Sequence, residues 1–171
     1  LDLDLRIPLH GPGPAATSAS GRLAVQGALV EIPELPLTLR QVSGEIRFSP
    51  GLGVRGRSIR AVVHGETVRI DVDRDPDASG MQIRAVGRQP LDPWVGEQAW
   101  LQQVRGTASW NADLRIDDAG DSLLRLGTDL EGVEIDWPPP FAKTRGTRRP
   151  LDIVWPLRGQ DEAIARGQFD S

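Results

Sequence analysis

Apolar and polar residues alternate along most of this chain, and the alternating runs repeatedly begin near a glycine. Ser20-Gly21-Arg22-Leu23-Ala24-Val25, Val42-Ser43-Gly44-Glu45-Ile46-Arg47-Phe48 and Val104-Arg105-Gly106-Thr107-Ala108-Ser109-Trp110 share this signature. Successive side chains of a strand point to opposite faces, so each run makes one apolar face and one wet face. The most regular run opens the chain, with Leu1, Leu3, Leu5, Ile7 and Leu9 set between Asp2, Asp4, Arg6 and Pro8. His10-Gly11-Pro12-Gly13-Pro14 ends it. Leu23 and Val25 are followed by Ala28, Val30 and Ile32 on the opposite parity, a change of face that a bulge near Gly27 accounts for.

The same reading predicts strands over Leu37–Leu39, Ile46–Phe48, Ile59–Val63, Val68–Val72, Met81–Ala85, Ala108–Ile116, Leu124–Leu126, Val133–Trp137 and Leu151–Leu157. Turn chemistry separates them: His64-Gly65-Glu66, Asp75-Pro76-Asp77 with Ser79-Gly80, and Asp117-Asp118-Ala119-Gly120-Asp121. One segment departs from the pattern. Asp92-Pro93 is a capping side chain followed by the residue that suits a first helical position. Leu91, Trp94, Val95 and Ala99 then fall at near-helical spacing, which predicts a short helix from Pro93 to about Gln102. Its Trp94 and Trp100 are expected to cover an open end or face of the sheet.

The predicted fold is mainly β: a strongly curled antiparallel sheet forming a groove, with one short helix. A closed β-sandwich is the alternative, because any sandwich shows this alternation. With 171 residues, one domain is the expectation, residues 1–158 forming the β-rich segment and 159–171 a polar tail that frays. The glycines and prolines sit between the runs, where they act as turns. No run reaches the roughly 20 apolar residues that span a bilayer as a helix. The chain opens on Leu1 in mid-strand, so it reads as a piece of a longer polypeptide whose targeting segment or anchor lies elsewhere.

Candidate chemistry is sparse. A net charge of −4 argues against nucleic acid as a partner. Without cysteine there is neither a disulfide framework nor a thiolate metal site. His10 and His64 both neighbour glycine in predicted turns, and no nucleophile-elbow motif is present, so no catalytic residue is assigned. Asp71, Asp73, Asp75 and Asp77 alternate as at the start of a calcium loop. Pro76 stands where that loop turns on glycine, and Gln82 where it needs a bidentate carboxylate, so no metal and no cofactor is expected. Lys143, Arg145, Arg148 and Arg149 form a basic cluster after a triple proline. It reads as a solvated loop or as a contact for anionic headgroups.

Strand parity brings Leu3, Leu5, Ile7, Leu23, Val25, Ile46, Phe48, Val68, Ile70, Ile83, Trp110, Leu114, Leu126, Ile135 and Trp155 to one common apolar side. Periodicity alone leaves open whether that side is a filled core or an exposed surface.

The run Asp129-Leu130-Glu131-Gly132-Val133-Glu134-Ile135-Asp136-Trp137-Pro138-Pro139-Pro140-Phe141-Ala142-Lys143 resembles a pattern of the YhdP group of AsmA-like envelope proteins. There, a strand ending Ser-Asp-Leu-x-Gly precedes a Leu-Pro-x-Pro-hydrophobic-x-Lys segment. Leu3-Asp4-Leu5-Arg6-Ile7-Pro8-Leu9 resembles the group's Leu-x-Ile-Pro-Leu strand, and Val42–Ser49 followed by Gly51-Leu52 resembles its Gly-x-Leu-x-Phe-x-x-x-Gly-Leu element. The order holds over most of residues 1–157, with Thr128 replacing the serine and Trp137 the leucine. The resemblance implies a non-enzymatic segment of a long protein that crosses the periplasm of Gram-negative bacteria from an inner-membrane anchor. It also implies phospholipid as cargo, carried on an apolar β-groove, with neighbouring β-groove segments of the same polypeptide as partners. A structural or protein-interaction sandwich is the rival reading, and a glycan-binding sandwich with stacking tryptophans a third.

Overall fold

The computed structural model describes residues 2–6, 18–32, 37–49, 53–75, 80–91, 102–157 and 164–167. Alternation becomes strands nearly everywhere: β1 (Asp2–Arg6), β2 (Ser18–Ile32), β3 (Leu37–Ser49), β4 (Gly53–Val63), β5 (Glu66–Arg74), β6 (Gly80–Pro90), β7 (Val104–Asp117), β8 (Ser122–Thr128), β9 (Val133–Ile135), β10 (Leu151–Pro156) and β11 (Ile164–Gly167). They build one 11-stranded antiparallel sheet in the order β1-β2-β3-β4-β5-β6-β7-β8-β10-β11, with β9 pairing β7 off that path. Apart from β9, the order follows the chain, each strand lying antiparallel beside the one before it. Between β4 and β5 the turn is His64-Gly65, both at positive φ (44° and 86°), which is the two-residue hairpin geometry whose twist matches its strands.

Among the described residues, sheet register departs from regularity in one region, β2 to β4. Pairing shifts between Val25 and Ala28 on β2, between Arg40, Ser43 and Ile46 on β3, and between Gly56 and Ile59 on β4. At these shifts Gly27, Gln41 and Ser58 sit at φ 68°, 52° and 53°. The bulge expected near Gly27 is therefore present, and its effect is to keep Ala28 and Val30 on the face of Leu23 and Val25. Ala28 pairs with Val42 and Val30 with Leu39, just as Leu23 pairs with Ile46. The bulges in β3 and β4 do the same for Leu39/Val42 and Gly56/Ile59. Polar side chains pin this line of bulges. The Gly27 N–H donates to Ser43 Oγ (3.1 Å), the Ser43 hydroxyl to the Gln41 carbonyl (3.1 Å), and the Ser58 N–H to Asp71 Oδ1 (2.7 Å).

The core sits against the bulges. Val42, Ile59, Ala61 and Val72 form its buried cluster, flanked by Val25, Ala28, Leu39, Ile46, Ile70, Met81 and Ile83. From β5 through β6, β7 and β8 to β10, pairing runs without a shift.

These features correct the expected shape. The sheet is open and not strongly curled, because strand bending is introduced by bulges, which stop at β4. The remaining strands carry only the ordinary twist. The closed sandwich is not formed either: every extensive contact between strands is between neighbours in the sheet. Among the described residues there is no α-helix, only a short 3₁₀ turn at Gln102-Gln103. The helix expected over residues 93–102 falls almost wholly outside the described residues, as does Ile7. The tail expected from residue 159 contributes β11, whose alternating Ile164-Ala165-Arg166-Gly167 pairs with Val154–Leu151 of β10.

Candidate functional site

Register carries the apolar side chains across the sheet in rungs. One rung links Leu23, Ile46, Gly56, Val72, Ile83, Leu114, Leu124 and Trp155 as successive partners. The next links Ile59, Ile70, Ala85, Ala112, Leu126 and Ile153, and a third links Ala61, Val68, Gly87, Trp110, Thr128 and Leu151. Direct partners share a face, so one apolar side runs unbroken from β2 to β10. Phe48 extends it beside Gly21 and Val54, and Val25 beside Gly44. Leu3 pairs with Gly21, which places it at the same register level as Phe48, and Leu5 pairs with Ala19.

Ile135 stands apart from these rungs. It lies on β9, paired with Val104 of β7 and bridged to Lys143. Several residues share the apolar face that the parity reading did not assign there: Ala28, Val30, Leu39 and Val42 beyond the bulges, and Ile59, Val72, Leu124 and Ile153 within the rungs.

Exposure along this face is graded. Val68 is 1% exposed in the middle of the sheet and Leu23 38% near one edge. Leu114, Leu124, Leu126, Ile153 and Trp155 are half-buried. Among the described residues no second sheet lies across them.

The opposite face is ionic. Glu45 pairs with Arg22 and Arg47, Asp73 with Arg55 and Arg57 (3.1 and 2.7 Å), and Asp113 with Arg115 and the Gln82 amide. This is also where the candidate calcium loop goes. Asp71 accepts from the Ser58 N–H, Asp73 is held between two arginines, and buried Asp75 lies 3.9 Å from Arg115. Asp77 lies outside the described residues.

The basic cluster does not gather on one solvated surface. The segment after β8 turns at Leu130 (φ 53°) and lays β9 along the start of β7, where Thr107 N–H donates to the Gly132 carbonyl. Ile135 and Lys143 exchange backbone bonds, and the N–H groups of Gly146 and Arg149 donate to the carbonyls of Glu131 and Asp129. Lys143 is only 4% exposed. Its ammonium donates to the carbonyls of Val133 (2.7 Å) and Thr144 (3.3 Å), so it ties the corner together instead of facing a headgroup. Burial pushes its pKa below the usual lysine range and the Arg149 cation adds to this, while Asp129 and Glu131 oppose the shift. Arg148 pairs with Glu131 (3.2 Å), Arg149 donates to the Pro140 carbonyl (3.4 Å), and Arg145 stays exposed.

Among the described residues, two buried side-chain atoms on the apolar face have no hydrogen-bond partner. Gln89 is 3% exposed and donates through Nε2 to the Val63 carbonyl (3.1 Å), yet its Oε1 has no partner. The buried Nε1 of Trp110 also lacks one.

A family model described as YhdP protein matches the chain over residues 1–171. No curated protein and no solved structure matches it.

Proposed function

We propose, since the chain belongs to the YhdP family of bacterial envelope proteins, that its sheet is a non-enzymatic stretch of a lipid path on which acyl chains lie against the apolar face. The observation that carries this reading is the unbroken set of apolar rungs from β2 to β10, half-exposed over β7, β8 and β10. A monomeric soluble fold normally buries such a face, and large exposed apolar surface marks a place where something apolar binds. Each acyl methylene withdrawn from water gains about 0.8 kcal/mol, so a chain laid along several rungs is held firmly. Because the rungs are chemically alike, neighbouring positions are nearly equivalent, and a lipid can shift between them without leaving a deep well.

On this reading the cargo is phospholipid, the setting is the periplasm between inner and outer membrane, and the anchor and adjoining β segments belong to the intact protein. The ionic opposite face then serves solubility, its arginines and carboxylates offsetting one another. The test is mass spectrometry of the gently purified protein. Phospholipid is expected to co-purify, and to be lost when Leu114 and Leu124 are both changed to aspartate. A folded, unaltered protein carrying no lipid would contradict the proposal.

A further inference from the structure

Arginines and carboxylates offset one another over only one end of the ionic face. There Glu45, Asp73 and Asp113 each hold two partners. Toward the other end of the strands the face carries Arg40 on β3, Arg60 on β4, Arg69 on β5 and Arg88 on β6, all exposed. Register gathers them. Arg60 pairs directly with Arg69, Arg40 pairs with Val62 two residues beyond Arg60, and Arg88 stands two residues beyond Val86, the partner of Arg69. Among the described residues none of the four has an ion pair or a side-chain hydrogen bond. The carboxylates that border them are engaged elsewhere. Asp71, next on this face along β5, accepts from the Ser58 N–H, and Glu45, beyond Ser43 on β3, is shared by Arg22 and Arg47. Like charges directly opposite on neighbouring strands destabilise a sheet. Yet the chain has 24 acidic residues and places none between these four arginines. Two exposed apolar side chains stand among them. Val86, 40% exposed, is the partner of Arg69; Leu29, 60% exposed, precedes Val30 as Arg40 follows Leu39, the partner of Val30.

We propose that this patch is a docking surface for an anionic phospholipid bilayer. Guanidinium groups are weakly hydrated and match phosphate oxygens with paired N–H bonds. Headgroup phosphates settling between Arg60 and Arg69 turn a repulsive cross-strand pair into a shared anion contact. The four cations lie on an open sheet face across four neighbouring strands, which presents them together to an extended anionic surface. Leu29 and Val86 then enter the boundary between headgroups and acyl chains, an environment that a solvated acidic polypeptide does not offer. Because the whole chain carries a net charge of −4, the attraction is local and is screened by salt. The patch lies on the face opposite the apolar rungs, so it does not depend on the lipid reading, and a bilayer held there leaves the rungs unobstructed.

The experiment is co-sedimentation of the intact protein with vesicles of phosphatidylcholine alone and of an equal mixture with phosphatidylglycerol. Binding is expected on the mixed vesicles, and it should fall steeply in about 1 M salt, where the Debye length is roughly 3 Å. Phosphatidylcholine alone should bind weakly. An arginine close to an anionic surface is worth a factor of about five, so Arg60→Gln combined with Arg69→Gln should weaken binding roughly thirtyfold. That variant loses a like-charge contact and should unfold at no lower temperature. Arg22→Gln combined with Arg47→Gln makes the same change in net charge among arginines already paired with Glu45, and should leave most of the binding intact. Equal loss in the two double variants would reduce the effect to net charge and overturn the patch. Equal binding to both kinds of vesicle would overturn it too, assigning the contact to the apolar face and leaving the lipid reading standing. So would displacement from the mixed vesicles by polyglutamate at matched charge, which would assign the arginines to an acidic polypeptide. Absence of phospholipid from the purified protein would contradict the lipid reading and leave this patch untouched.

Discussion

The two halves of the sheet use the same alternating code and reach different surfaces. In β2–β4 a pinned line of bulges breaks the register, and beside it Val42, Ile59, Ala61 and Val72 close into a buried cluster. From β6 to β10 the register is unbroken, and Leu114, Leu124, Leu126 and Trp155 stay half-buried. A bulge bends its strand and raises the local twist, which draws side chains of neighbouring strands together. Regular strands only twist, so their apolar side chains stand apart and offer a surface. Alternation therefore says which residues are apolar together, while the bulges decide whether those residues pack on each other or wait for something else.

The strongest way to break this comparison is to place one charge in each half. Val72→Asp puts an unpaired carboxylate into the packed cluster, which costs several kcal/mol, comparable with a domain's whole stability, and the chain is expected not to fold. Leu114→Asp leaves its carboxylate at a face that water reaches, and is expected to cost about 1 kcal/mol. Urea unfolding of the two variants reads the contrast. If Leu114→Asp also abolishes folding, the regular half is a closed core and the contrast is wrong.

Truncation probes the same difference more gently. Ile59→Ala empties part of the cluster and should lose about 2–5 kcal/mol, whereas Leu124→Ala should lose well under half of that, since a half-exposed site leaves no sealed cavity. Comparable losses would mean that both halves are packed alike.

The bulges themselves come next in size. Ser43→Ala removes the acceptor of the Gly27 N–H and should cost about 1 kcal/mol, as should Gly27→Ala, which forces a Cβ into a left-handed conformation. The two residues share one bond, so the double variant should lose less than the sum. Full additivity would show that Ser43 does not hold the bulge.

Part of this was legible in the residues. The parity change after Gly27 signals the bulge in β2. Parity also changes between Leu39 and Val42 and between Val54 and Ile59, but there the left-handed residues are Gln41 and Ser58, which carry no glycine signal. Curl was not legible, because it depends on how many bulges the sheet holds and on where they stop. Lys143 reads as solvated by its charge alone. Its burial follows from a distant register, which brings the Val133 carbonyl within 2.7 Å of its ammonium. Gln89 looks like an ordinary polar residue near the end of a strand. Only its pairing with Ala108, beside Trp110, reveals an acceptor on the apolar face.

The smallest expected effect is a pH dependence at the β9 corner. Lys143 is the sole lysine, and the chain has no tyrosine or cysteine, so besides the amino terminus nothing else titrates in the alkaline range below arginine. Its folded pKa lies below 10.5 because of burial first and Arg149 second. The unfolded chain therefore binds that proton more tightly. Stability should rise with pH between the folded value and 10.5, then level off. Chemical unfolding across that window should show the rise, and Lys143→Met should abolish it. A flat profile in the unaltered chain would mean that the ammonium is well solvated.

The central claim is that one face of this sheet meets lipid, and site-specific photocrosslinking in cells labelled with radioactive phosphate tests it most directly. A photoreactive phenylalanine analogue placed at Ile83, Leu114 or Leu124 of the intact protein should capture labelled phospholipid. The same analogue at Arg84, Arg115 or Arg125, one residue further along each strand and on the opposite face, should not. Equal labelling from both faces, or none from the apolar one in a folded and functional protein, would contradict the account.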